Sequence, residues 1–130
     1  MNPNALGAIP QVPITIKRGG TFYLPFTYLD ANGITIDLTS YNARMQIWSS
    51  ETASGTAILD IGTYGTHAEQ GSIVITPITF GISMTILSSF TGTLANSFSQ
   101  GWHEFHLINP SNADVPLFEG PVTFEPGGIR

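Results

Sequence analysis

The sequence predicts an all-β domain, a sandwich or barrel of seven to nine short strands. Three observations predict it. Between Lys17 and Ile47, apolar residues alternate with polar ones into the turn Asp30-Ala31-Asn32-Gly33 and out again through Ile34, Ile36 and Leu38. Period-two alternation closed by Asn-Gly is a strong hairpin signal. The same alternation then recurs in short runs along the chain. Between the runs lie clusters of Gly, Pro, Asn, Asp and Ser, the residues that turns favour.

Residues 1–11 are expected to form an extended arm, because two prolines interrupt ladder pairing and no side chain is charged. Leu6, Ile9 and Val12 would be its apolar anchors on a neighbouring subunit, if it is not simply a frayed tail. Residues 12–130 form the single domain. Val12, Ile14 and Ile16 alternate until Arg18-Gly19-Gly20, where a tight reversal is expected. Phe22, Leu24, Phe26 and Tyr28 then share one face. Pro25 has no N–H for a ladder, so this strand lies at an edge or bulges there. A short strand, Ile34 to Asp37, follows the Asn32-Gly33 turn.

Ala43 to Trp48 reads as a strand with Met45 and Ile47 on one face and Arg44, Gln46 and Trp48 on the other. After a surface loop over 49–56 come a strand at Ala57–Ile61, a second loop at 62–71 and a β-branched run, Ser72–Ile78. Gly81–Leu87 alternates through Ile82, Met84 and Ile86. Phe90, Leu94 and Phe98 recur every four residues, which predicts at most one short helical turn near 88–98. Trp102–Ile108 and Val115–Phe124 close the domain as a hairpin around Asn109-Pro110-Ser111-Asn112-Ala113-Asp114. The expected core collects Ile14, Phe22, Leu24, Phe26, Leu38, Met45, Ile47, Ile73, Ile75, Ile82, Met84, Phe105, Leu107, Leu117, Val122 and Phe124. The sequence ends six residues after Phe124, so no second domain is expected.

Composition narrows function. Hydrophobic residues make up 42% of the 130, enough for a core. Charged residues make up only 10%, against about 25% in an average soluble domain. A weakly charged surface suits a protein covered by neighbours, or a neutral Thr-rich domain that folds alone. The net charge is −5, and Lys17, Arg18, Arg44 and Arg130 are the whole cationic complement. Four cations do not build a phosphate-binding face, so no nucleic-acid partner is expected. No apolar run approaches the ~20 residues of a membrane span, and no basic residue precedes position 17, as a secretory leader would require. With no cysteine, disulfides, thiolate nucleophiles and Cys-ligated zinc are excluded.

Reactive constellations are sparse. His67 lies in a Gly-rich loop. Glu104 and His106 share a strand face with Trp102, opposite Phe105 and Leu107, and are expected to be exposed. Two ligands do not make a metal site, which takes three or more with an ordered second layer. The nine acids fall mostly in loops or at strand ends, and no pair is framed by aromatics as a glycoside cleft would be. Neither a nucleophile elbow nor a phosphate loop is present. No catalytic residue, cofactor or metal is therefore expected. Tyr23, Trp48, Tyr64 and Trp102 fall on outward faces or in loops, where aromatics act as interface anchors or, as a coplanar set, would form a carbohydrate platform.

Five segments recur in a familiar order: Lys17-Arg18-Gly19-Gly20-Thr21-Phe22; Asp30-Ala31-Asn32-Gly33 followed by Asp37-Leu38-Thr39; Ala43-Arg44-Met45-Gln46-Ile47; Thr91 and Leu94 ahead of Gly101-Trp102-His103-Glu104-Phe105-His106-Leu107; and Pro116-Leu117-Phe118-Glu119-Gly120-Pro121-Val122-Thr123-Phe124. Over roughly residues 14–125 this set resembles a small immunoglobulin-like domain of tailed-bacteriophage virion proteins, the N-terminal domain of upper-baseplate proteins that attach receptor-binding parts to the tail. The resemblance implies an immunoglobulin-like antiparallel β-sandwich in a structural, non-enzymatic protein of the virion, assembled in the host cytoplasm. It implies other virion proteins as partners (tail, baseplate, fibre or capsid) and a homo-oligomer within a symmetric assembly. Those baseplate proteins usually continue into a longer C-terminal region, and residues 53–80 are longer here than the pattern requires. Two alternatives stay open: a capsid decoration (cement) protein and a carbohydrate-binding module. The expected interface residues are Leu6, Ile9, Tyr23, Trp48, Trp102, Ile129 and Arg130.

Overall fold

A computed structural model of the chain describes residues 10–29, 32–49, 57–63, 67–76, 81–94 and 100–125. Eight strands and one helical turn follow in order: β1 (Ile14–Lys17), β2 (Phe22–Thr27), β3 (Asn42–Trp48), β4 (Leu59–Gly62), β5 (Gly71–Thr76), β6 (Gly81–Ile86), α1 (Ser88–Thr91), β7 (Gln100–Ile108) and β8 (Asp114–Glu125). They form a five-stranded sheet, β1-β8-β7-β3-β4, and a three-stranded sheet, β2-β6-β5. The protein is an all-β sandwich of a five-stranded and a three-stranded sheet.

Each sheet turns one face inward, and the alternation seen in the sequence decides which. In the large sheet the inner rows run through Ile16, Met45, Ile47, Ile61, Phe105, Leu107 and Phe124, all at most 4% exposed. The small sheet contributes Ile73, Ile82, Met84 and Ile86, with Phe22, Leu24, Phe26 and Ile75 packed against them. Phe26 meets Phe105 and Phe118 edge-on at 5.2 and 5.3 Å, and those two rings stack at 5.0 Å. This aromatic knot fastens one sheet to the other. Every expected core residue lies in this cluster or against it.

Three features depart from the sequence reading. The segment from Ile34 to Asp37 is not a strand. It carries one bridge, Leu29 to Thr35, and a bond from the Ile36 N–H to the Tyr28 carbonyl at 3.3 Å. The chain must leave the β2 sheet here to start β3 in the other. Asp37 turns it by accepting both the backbone N–H and the hydroxyl of Thr39, and Ser40 follows at φ 66°. The sandwich is also not wholly antiparallel: β1 runs parallel to β8, Ile14 beside Val122 through Lys17 beside Glu125. Finally, residues 10 and 11 do not hang free as the end of an arm. Gln11 bridges Glu119, and Pro10 and Val12 bond its backbone at 3.0 and 2.8 Å. Residues 1–9, with Leu6 and Ile9, lie outside the described residues, as do Tyr64, Phe98, Ile129 and Arg130.

Candidate functional site

Both sheets present an outer face, and the two differ in chemistry. On the large sheet the register aligns Asn42, Ile108 and Asp114 in one row, then Arg44 with His106, then Gln46, Glu104 and Glu119, then Trp48, Trp102 and Pro121. Polar and charged groups dominate. Arg44 clasps Asp60 of the neighbouring β4 with two bonds, at 3.0 and 2.8 Å. That guanidinium holds the Asp60 carboxyl below its usual range, against the opposing effect of partial burial. His106 lies between two carboxylates, Asp114 at Nδ1 (2.8 Å) and Glu104 at Nε2 (3.1 Å). A recess of about 340 Å³ opens beside them, lined by Arg44, Gln46, Glu104, His106, Ile108, Asn112 and Asp114.

This recess does not gather reactive groups toward one point. The carboxylates flank the imidazole at opposite ends, so a cation bound at either nitrogen would reach only one of them. Among the described residues no group of three His, Cys, Asp or Glu is arranged to hold a metal ion. The bidentate pairing with Asp60 also occupies much of the Arg44 fork.

The Trp row behaves unexpectedly. Trp102 lies on the outer face as expected but is only 8% exposed, and its indole nitrogen is buried without a hydrogen-bond partner. Glu104, His106 and Trp48 are half-buried. Expected exposure here rested on strand parity alone, which assigns a side chain to a face without saying what flanks it. Tyr23, by contrast, is 61% exposed, and it lies on the other sheet. The three aromatics therefore do not form one coplanar platform.

The outer face of the small sheet is a three-by-three grid: Tyr23, Thr85 and Ser72; Pro25, Ser83 and Val74; Thr27, Gly81 and Thr76. None of the nine is charged. Tyr23 and Val74 stand out at 61% and 54% exposed. A shallow depression lies over Gly81, where no side chain fills the space between Thr27 and Thr76. Pro25 stands in the middle of the edge strand β2, where it removes a donor and obstructs strand addition. Sequence reading singled out Tyr23 here but not its neighbours; the signal was the absence of charge at every outward position of three runs.

The inner side holds one polar residue that the sequence reading did not single out. His103 is fully buried beside Phe105, at the same strand parity. Its Nε2–H donates to the Val12 carbonyl at 2.6 Å, while Nδ1 has no partner. Burial depresses its pKa, although the Val12 bond and the nearby Glu104 charge pull the other way. No family model matches the chain, and no curated protein is similar to it at a significant level.

Proposed function

We propose that the chain is a non-enzymatic structural adaptor of a tailed-phage virion, placed in the tail, baseplate or fibre-attachment region and assembled through protein–protein contacts. The observation that carries this reading is the nine-residue uncharged face of the small sheet. Such a face supports docking because a contact made through it avoids the desolvation of charges that it would otherwise bury. The resemblance of the five ordered segments to baseplate domains supplies the virion setting. The polar recess of the other sheet adds no competing chemistry, because its acids are engaged with Arg44 and His106 and do not converge.

The test is the copy number of the chain in purified particles, measured by quantitative mass spectrometry. An adaptor of the tail is present in tens of copies or fewer, in a multiple set by tail symmetry. Hundreds of copies would instead make it a decoration protein of the head. Absence from the particle would sink both.

A further inference from the structure

We infer that the uncharged face of the small sheet pairs with the same face of a second copy, about a two-fold axis lying between the sheets and running along β6. The inference rests on the assembly reading above and names its first partner.

Charge selects the partner. Each copy has a net charge of −5, so two copies repel wherever their acids approach. The outer face of the large sheet carries Asp60, Glu104, Asp114, Glu119 and Glu125 against Lys17 and Arg44, a net negative surface. The grid of the small sheet carries no charge, so two copies meet there without burying one.

Symmetry selects the geometry. A residue on a two-fold axis meets itself, and only apolar groups or groups that both donate and accept can do so without conflict. The central strand places Thr85, Ser83 and Gly81 on that line: two hydroxyls, each donor and acceptor, and one position with no side chain. The rotation lays β2 of one copy over β5 of the other. Pro25 then faces Val74, and Tyr23 faces Ser72 beside Val74. The two most exposed apolar side chains of the grid are thereby covered, twice over.

Area sets the strength. Three strands of six residues span roughly 300 Å² per copy from ordinary sheet spacings, well under the ~800 Å² per partner of a standard stable interface. The pairing is therefore weak between free copies, and becomes tight where a scaffold holds two copies close.

The experiment measures sedimentation equilibrium from about 10 µM to about 1 mM. The native chain is expected to populate a dimer at the upper end. Thr85→Asp, which sets two carboxylates against each other on the axis, is expected to weaken the dimer at least about tenfold. Tyr23→Ser, at a position 61% exposed, is expected to weaken it as well. Because the chain has no cysteine, Ser83→Cys supplies an independent readout. A thiol-to-thiol crosslinker spanning about 10 Å, the separation of stacked sheets, is expected to join two copies through it. Glu119→Cys on the opposite sheet is expected to stay uncrosslinked. A native chain that remains monomeric throughout, or a dimer indifferent to both Thr85→Asp and Tyr23→Ser, overturns the pairing. A monomeric chain found in particles at fixed copy number would overturn the pairing alone. A dimer whose chain is absent from particles would overturn the adaptor reading alone.

Discussion

His103 shows how one side chain can couple a core to a chain terminus. It reaches from β7 past β8 to the carbonyl of Val12, 2.6 Å away. It can do so because Gly120, between them, has no side chain: a Cβ there would come within 2.6 Å of the Val12 oxygen and 2.8 Å of its carbonyl carbon. Gly120→Ala is accordingly expected to push the strand off and cost about 1–3 kcal/mol by overpacking, read as a lower urea midpoint with lost amide protection at Val12. The imidazole itself makes stability depend on pH. Its folded-state pKa is depressed from 6.5, so the fold favours the neutral ring. Protonation would create an Nδ1–H with no acceptor. The stabilisation is thus complete above pH ~6.5 and is lost as pH falls below that value. His103→Phe is expected to lose the Val12 bond, about 1–3 kcal/mol at pH 7.5, yet to show a flatter decline between pH 7 and pH 5. Urea titrations at several pH values compare the two slopes, and parallel slopes would contradict this account. Parity already placed residue 103 inward with Phe105 and Leu107. What the sequence did not show was the long-range partner, 91 residues away, that makes a buried imidazole tolerable.

At the level of elements, the strands were legible because both sheets have one buried and one open face. Met45 and Ile47 against Arg44 and Gln46, or Ile82, Met84 and Ile86 against Ser83 and Thr85, give a period of two that few other structures produce. Connections were less legible. The hairpin signal at Asn32-Gly33 is strong locally, and Gly33 does take φ 78°. The return segment nevertheless abandons β2, because a sandwich needs its chain to change sheets. The parallel pairing of β1 was hidden for a similar reason: its partner β8 lies 108 positions on, beyond any local pattern. The crossing from β1 to β2 depends on α1. Thr91, fully buried, accepts the Gly19 N–H at 3.0 Å and donates to the Gly20 carbonyl at 2.8 Å. One hydroxyl thus satisfies both groups of a reversal in which Gly19 takes φ 80°. Thr91→Val keeps the shape but orphans both. It is expected to cost about 1–3 kcal/mol, measured by denaturant unfolding, with protection from hydrogen exchange falling first at Gly19. A loss spread evenly over the whole domain would instead mean that α1 acts by packing alone.

For the molecule as a whole, the segregation of charge decides how copies of it behave together. Among the described residues, Asp60, Glu104, Asp114, Glu119 and Glu125 share the outer face of the large sheet with Lys17 and Arg44, where Arg44 pairs with Asp60 and His106 hydrogen-bonds Glu104 and Asp114, while Asp37 and Glu69 lie in connecting segments. The small sheet presents hydroxyls, Tyr23 and Val74. The sequence hinted at this through its 10% charged content, but a percentage has no direction. Only the register shows that nine neutral positions fall on one face. The segregation makes a prediction that separates this surface from an electrostatic one. Contacts built on ion pairs weaken as salt rises, because the Debye length shrinks from about 30 Å at 0.01 M to about 10 Å at 0.1 M. A contact through the neutral grid has no ion pair to lose, while the general repulsion between two copies of charge −5 is screened. Self-association is therefore expected to hold steady or tighten modestly from low to moderate salt, measured by sedimentation equilibrium at fixed pH. Weakening over the same range would place the contact on the charged sheet, with Arg44 reaching an acid of the partner. Arg44→Gln would then abolish association, and Thr85→Asp would leave it intact.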